Sequence, residues 1–271
     1  MAQTADAQLK AWQEVLTTGH PRLKRIQKLM RLLPGPPRCK ICNNPFGGVG
    51  GHICRLAGFR PSRKNPRICA LCCEDMPLGG TEIETAILFA DIRDSTGLAE
   101  TLGPSQFADI LNRFYATATE VLIRHDATVD KLIGDEVMAF FVPGFAGPDF
   151  KRSAVRAGVA LLQKLGYGGE REPWLSVGIG IDAGVAFVGN VGDEHFMDFT
   201  VLGDPVNTAA HIEAAARSGE LLVSESTFAA VADQYPDCKL HRLVVKGKEA
   251  PIGVYSLPLM ATVATARSIM A

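Results

Sequence analysis

Several residues in this 271-residue chain have types and spacings that can do chemistry. Asp91 closes an apolar run, "TAILFAD", and Asp135 sits in a Gly134-Asp135 turn between two further apolar runs. Taken singly, Asp91 reads equally well as a helix N-cap or a loop acid, and Gly134-Asp135 as an ordinary hairpin turn. Taken together, carboxylates at neighbouring strand ends can share hard cations. Mg²⁺ takes about six oxygens, and phosphate sites commonly combine one or two protein carboxylates with substrate oxygens. Two such ions about 4 Å apart activate an attacking hydroxyl and stabilise a leaving phosphate oxygen. The stretch after Asp91, "IRDST", holds Ile92, Arg93, Asp94, Ser95 and Thr96, and its backbone N–H groups at a helix start suit a triphosphate. Asn207 and His211 are four residues apart in "PVNTAAHIEAAARS", which stacks them on one helix face, as part of a site or as the wet side of a surface helix.

A different chemistry is written near the N-terminus. "CKIC" (Cys39 and Cys42) and "CALCC" (Cys69, Cys72 and Cys73) give two Cys-x₂-Cys knuckles 26 residues apart. Four thiolates suit tetrahedral Zn²⁺, although the gap exceeds the usual spacing of about 15–20 residues. His52, Cys54 and Cys73 are spare ligands, so an iron–sulfur cluster is the alternative. Six of the seven cysteines lie in this segment, which in a reducing compartment points to metal before disulfides. With few large apolar residues between its knuckles, the segment needs a metal to fold.

The elements that must hold these residues follow from periodicity. Hydrophobic residues make up 47% of the chain and charged ones 21%, an ordinary globular composition. The N-terminus "MAQTADAQLK" lacks an apolar h-region, and no apolar stretch approaches the roughly 18 residues of a spanning helix, so the chain reads as cytoplasmic. Leu9, Trp12 and Leu16 mark a first helix, and "RLKRIQKLMRLL" (22–33) a second, amphipathic one suited to packing, dimerisation or a membrane surface. "PLGG" (77–80) reads as a linker. Beyond it, "SQFADILNRFYATATEVLIRH" is a helix with Phe107, Ile110, Leu111, Phe114, Ala118, Val121 and Leu122 on its buried stripe. "ATVDKLIGDEVMAFFV" reads as two strands, 149–165 as a helix, and "LSVGIGIDAGVAFVGNVG" as strand, turn, strand. "MDFTVLG" and "ELLVS" are strands on either side of the Asn207 helix, with more strands near 241–246 and 253–257. The fold class is α+β with a largely antiparallel sheet.

Charge divides the chain. Residues 1–80 carry thirteen Lys/Arg against four Asp/Glu, a balance of +9, and residues 81–271 carry fifteen against twenty-five, a balance of −10. Arg55, Arg60, Arg63, Lys64 and Arg67 fall between the knuckles with only Phe46 and Phe59 as aromatics, which favours docking onto the acidic remainder or a regulatory partner over nucleic acid or membrane. The expected organisation is a helical segment (1–36), a Cys-rich metal module (37–76), a catalytic domain (81–260) and a tail (261–271). Nothing reads GxxxxGK[ST], which excludes a P-loop NTPase.

The blocks "FADIRDSTGLAETLG", "VDKLIGDEVMAFF", "GIGIDAGVAFVGNVG", "FTVLGDPVNTAAHIEAAA" and "VKGKEAPIGVYSL" together resemble a class III nucleotide cyclase catalytic domain over about residues 83–258. The resemblance implies a ferredoxin-like cyclase fold and a homodimer whose sites are built from both subunits. It puts Asp91, Asp135 and the Ile92 carbonyl on two Mg²⁺ or Mn²⁺ ions. It makes Lys131 and Thr200 the base-recognition pair, in the Thr-bearing adenylyl subgroup. Adenine offers an N1 acceptor and an N6 donor; a lysine can only donate and a threonine hydroxyl can accept, which suits ATP. Outside these blocks the same residues would read as a solvated strand lysine and a β-branched strand residue. Asn207 matches the asparagine that holds the ribose and the transition state, but His211 stands where the family has arginine. Guanidinium keeps its charge and its fork of donors, whereas imidazole is shorter and titrates near pH 6.5. Losing a donor of this kind costs about 10²–10³ in rate, so the expectation is a slower adenylyl cyclase favoured by acid. The alternatives are a catalytically weak nucleotide-binding signalling domain and a guanylyl cyclase.

Overall fold

The computed structural model describes residues 2–17, 30, 32–193, 195–245, 248 and 250–259. Most of the amphipathic segment 22–33 and the tail 261–271 lie outside the described residues. In chain order the elements are α1 (Ala2–Thr17), α2 (Gly48–Leu56), a 3₁₀ turn (Ala70–Cys72), β1 (Gly79–Ile92), α3 (Ser95–Leu102), α4 (Pro104–Arg124), β2 (Thr128–Ile133) and β3 (Glu136–Phe141). Then come α5 (Pro143–Ala146), α6 (Phe150–Leu165), β4 (Val177–Gly192), β5 (Met197–Leu202), α7 (Asp204–Ala215), β6 (Leu221–Ser224), α8 (Glu225–Phe228), β7 (Leu240–Leu243) and β8 (Ile252–Leu257). One eight-stranded sheet runs β2-β3-β1-β4-β6-β8-β7, with β5 also paired to β4. Every pairing is antiparallel except β4 with β6. This is the α+β class that the alternation of periods predicts.

β1 sits in the middle of the sheet because both of its faces are apolar, with Ala86 to Ala90 all buried. Ala86, Leu88, Ala90 and Ile92 face α4 and α6, where they meet Phe114, Ala118, Leu122, Leu161 and Leu162. The predicted α4 stripe is present at Phe114, Ala118, Val121 and Leu122, with Ile110 and Leu111 packed at its edge and Phe107 only partly buried.

The opposite face of β1 is covered from an unexpected direction. Ile83, Ile87 and Phe89 pack in one core with Trp12 and Leu16 of α1, the four knuckle cysteines, Ile68, and Phe199 of β5. Trp12 is fully buried and stacks on Phe199 with ring centroids 6.0 Å apart. The Cys-rich segment thus fills the second hydrophobic layer of the sheet.

Two readings of glycine-rich stretches are corrected. "PLGG" is not a linker throughout, because Gly79 and Gly80 open β1 and pair with Asn190 and Gly189 of β4. A Cβ at Gly80 would lie 2.3 Å from the Val188 carbonyl oxygen, so the glycine allows two backbones to meet. "LSVGIGIDAGVAFVGNVG" is not strand, turn, strand: β4 is continuous from Val177 to Gly192, since β1 supplies an antiparallel partner for Val177 to Asn190. At its midpoint Gly184 accommodates Pro205 of α7, where a Cβ would approach the ring to 2.8 Å.

Candidate active site

The first cluster forms at the ends of β1 and β3. Asp91 is the last register partner of β3, opposite Glu136, and the Gly134 turn (φ +61°) brings Asp135 alongside. The Ile92 amide donates to the Asp135 carbonyl at 3.3 Å, and the Tyr115 hydroxyl donates to the Gly134 carbonyl, so the turn is tied to β1 and α4. Arg93 reaches back to Asp91 Oδ2 at 2.6 Å and to Glu213 of α7. Asp91 Oδ1 is buried without a hydrogen-bond partner among the described residues. Burial first, and then the Asp135 charge, push Asp91 up to about 6 against the pull of Arg93. Burial likewise pushes Glu213 up to about 7 and raises Glu136. An orphaned carboxylate oxygen in excess negative charge fits a divalent cation, which Asp91 and Asp135 could hold through their side chains.

Of the stretch expected to face phosphate, Asp94 adopts φ +58° as it enters α3, while Ser95 and Thr96 form that helix's first turn. Arg93 is turned inward to its two carboxylates, so its side chain braces Asp91 in this arrangement.

The second cluster joins β2 to β5. Lys131 Nζ donates to Thr200 Oγ1 at 2.9 Å, which brings the predicted base-recognition pair together. The register of β2 shifts between Val129 and Lys131, and consecutive Asp130 and Lys131 both reach Thr200. On β5, Asp198 and Thr200 share one face while Phe199 between them enters the core against Trp12. Lys131 also pairs with Asp130 Oδ2 at 3.1 Å and Asp198 Oδ2 at 3.2 Å. Burial opposes the Lys131 charge, but the two aspartates raise it above the ordinary lysine value. Burial similarly opposes the Asp198 charge, yet Lys64 and Lys131 hold it below the ordinary carboxylate value.

Asn207 and His211 lie on the side of α7 away from its buried face, which is formed by Pro205, Thr208, Ala209, Ile212 and Glu213. Asn207 is exposed and His211 half-buried, and neither side chain makes a hydrogen bond among the described residues. That is the placement a residue needs if it is to meet substrate or a second subunit.

The cysteine knuckles close as their spacing predicts. The Sγ atoms of Cys39, Cys42, Cys69 and Cys72 all lie within 4.8 Å of one another, and all four residues are buried. The Cys69 and Cys42 amides both donate to Cys39 Sγ, at 3.2 and 3.5 Å. Hydrogen bonds from Cys42, Cys69 and Cys72 pull the Cys39 thiol down, while hydrogen bonding to Cys39 pushes the Cys69 and Cys72 thiols up. With Zn–S bonds of about 2.3 Å, a tetrahedral ion sets its sulfurs roughly 3.8 Å apart. The set therefore fits a single ion, whereas an iron–sulfur cluster places several atoms between its cysteines and needs wider spacing. The spare ligands stay out of the set: burial pushes the Cys73 thiol up to about 12, and its sulfur donates to the Cys69 carbonyl.

Asp130, Asp198, Glu136 and Glu213 carry no signal of their own in the sequence, because their roles come from pairings between distant segments. The one cue is the adjacency of Asp130 to Lys131. No helix among the described residues is long and apolar enough to cross a membrane.

Residues 81–258 match the adenylate and guanylate cyclase catalytic domain. An uncharacterized protein of Mycobacterium tuberculosis is 33% identical over 163 residues, 59% of this chain, and the match spans only 30% of that relative's length. The adenylyl cyclase CyaB from P. aeruginosa superposes with a TM-score of 0.58 at 29% identity, over 65% of this chain and 94% of that one. The guanylyl cyclase Cya2 superposes with a TM-score of 0.61 at 27% identity, over 69% of this chain and 98% of that one. Sequence blocks, sheet topology and the two polar clusters lead to one assignment: the chain belongs to the class III adenylate and guanylate cyclase catalytic domain family.

Proposed function

We propose that the protein is an adenylyl cyclase that converts ATP to 3′,5′-cyclic AMP and pyrophosphate in a homodimer. The observation that carries the choice of ATP is the Lys131–Thr200 contact at 2.9 Å, a donor beside a hydroxyl that can accept. Similarity to both an adenylyl and a guanylyl cyclase leaves base choice to these residues. A guanine would meet lysine donors at its own N1 donor, and an unmatched buried polar group is costly.

In this reading Asp91 and Asp135 hold two Mg²⁺ or Mn²⁺ ions, with the Ile92 carbonyl as a further ligand. When bound, the ions supply Lewis-acid charge stabilisation and lower the pKa of the attacking hydroxyl. The ribose 3′-oxygen attacks the α-phosphorus in line, the new O–P bond forms as the bond to pyrophosphate breaks, and the hydroxyl proton passes to water. The chain's own part is positioning. Arg93 braces Asp91, the first turn of α3 at Ser95 and Thr96 faces the phosphates, and Asn207 orients the ribose. His211 donates to the phosphate charge that develops. In the Cys module, Cys39, Cys42, Cys69 and Cys72 hold one structural Zn²⁺.

Incubating the purified chain with ATP or GTP and Mg²⁺ or Mn²⁺, beside an Asp91→Ala control, tests the assignment. Cyclic nucleotide formed by the wild type and not by the control is the expected result. No product above the control from either nucleotide overturns it.

A further inference from the structure

Lys64 belongs to the Cys-rich module, yet its ammonium group lies inside the base-recognition cluster. Its Nζ donates to Asp130 Oδ1 at 2.8 Å and to the Asp130 carbonyl at 3.0 Å, and it pairs with Asp198 Oδ1 at 2.7 Å. Lys131 holds the other oxygen of each carboxylate. Two lysines and two aspartates thus close a ring, with the Asp130 side chain fully buried and Lys64 only 15% exposed.

The position of Lys64 is inherited from the knuckles. Glu74, two residues after Cys72, accepts from the Ser62 hydroxyl at 2.6 Å and from the amides of Arg63 at 2.8 Å and Lys64 at 3.1 Å. The Lys64 carbonyl accepts from the Val129 amide at 3.0 Å, and Asn65 donates to the Ala127 carbonyl at 2.8 Å. Arg67 anchors the far side on Asp126.

Donor and acceptor counts give this ring a task. A lysine has three N–H donors, and those of Lys131 meet Asp130, Thr200 and Asp198. To donate to a base, Lys131 must leave one of them, and Asp198 is the more exposed carboxylate. The Thr200 hydroxyl donates its single proton to Asp130 Oδ2 at 2.7 Å, so toward Lys131 or a base it can only accept. Both features require Asp130 and Asp198 to stay ionised and neutralised once Lys131 turns away, and Lys64 is the cation left to do it.

We propose that Lys64 is a positioning residue for base recognition: the Cys-rich module supplies the counter-ion that frees Lys131 for the base and fixes Thr200 as an acceptor. This rests on the nucleotide cyclase reading above and adds a part from outside the catalytic domain.

The test uses the full chain, with calorimetric binding of non-hydrolysable ATP and GTP analogues beside initial rates with ATP, GTP and Mn²⁺. Lys64→Met should raise Kd and KM for the adenine nucleotide about tenfold, the scale of one lost charge-assisted hydrogen bond. It should change kcat less than about twofold and narrow the preference for ATP over GTP. Lys64→Arg should keep most of the affinity. Lys64→Met with Asp198→Asn should recover it, because the carboxylate left without a partner is gone; a purely structural loss would not be recovered. Arg67→Met, which loosens the same loop away from the ring, should leave the preference unchanged, and zinc content should match the wild type throughout. A folded Lys64→Met protein with wild-type affinity and preference overturns the proposal alone. If Lys64→Met does not fold, Lys64→Arg and the double variant decide, and failure of the double variant to regain affinity overturns it. Wild-type protein that binds neither analogue overturns the cyclase reading and this proposal with it.

Discussion

In the Asp91 cluster, four carboxylates (Asp91, Asp135, Glu136 and Glu213) face one guanidinium, that of Arg93. In the Lys131 cluster, two aspartates are matched by two lysines. The first region is left with excess negative charge, raised carboxyl groups and a buried oxygen unpartnered among the described residues, an arrangement that fits a cation. The second is internally balanced and can exchange one hydrogen bond for another when a neutral base arrives. The two clusters are therefore supported differently. The unbalanced one is braced from within its own domain, by Arg93 and by Tyr115 of α4, whereas the balanced one takes a further cation, Lys64, from the Cys-rich module.

The comparison can be broken at several points. Asp91→Ala removes a carboxylate from the unbalanced cluster, and product formation should fall to the level of buffer alone; retained turnover would remove that cluster from the chemistry. Cys39→Ser should abolish metal uptake at the knuckles and cost most of the fold's stability, because the four sulfurs share a core with Ile87 and Phe199. Metal analysis and thermal denaturation would read both effects. Trp12→Ala takes away the fully buried ring beneath β5, with an expected cost of about 3–5 kcal/mol in denaturant unfolding and a weaker preference for ATP. His211→Arg should raise kcat by about 10²; an unchanged rate would mean that position meets no developing charge.

The smallest effect is on stability. Asp91 and Glu213 bind protons more tightly in the fold than in the unfolded chain, at about 6 and about 7 against ordinary values of 3.8 and 4.5. Their contribution is therefore complete below the ordinary values and is lost as pH rises through 6 to 7. Protein without Mg²⁺ should melt at a lower temperature at pH 8 than at pH 5, and adding Mg²⁺ should raise the melting temperature more at pH 8. The reverse order would contradict the charge imbalance.

Much of this was legible in the residues. Asp91 and Asp135 announce themselves by ending apolar runs, and the Cys-x₂-Cys pairs by spacing, because both signals are local. The structure brings together Asp91 with Asp135, Lys131 with Thr200, and the four cysteines, as the sequence leads one to expect. What local pattern could not convey is long-range pairing. The continuity of β4 depends on β1 running beside it for fourteen residues, which overrides an Asp-Ala-Gly turn signal. The seat of the Cys module is set by Trp12, Ile68 and Phe199 meeting across distant segments, and Lys64 looks like one basic residue among five until it reaches Asp130.

The central claim, that a balanced lysine–threonine cluster selects adenine beside a cation-binding carboxylate pair, is tested most directly by one ratio. Purified protein would be given equimolar ATP and GTP with Mn²⁺, and cyclic AMP and cyclic GMP quantified from the same initial-rate samples. The account predicts cyclic AMP in at least about tenfold excess, the scale of one mismatched hydrogen bond to a charged group. Cyclic GMP in equal or greater amount would contradict it.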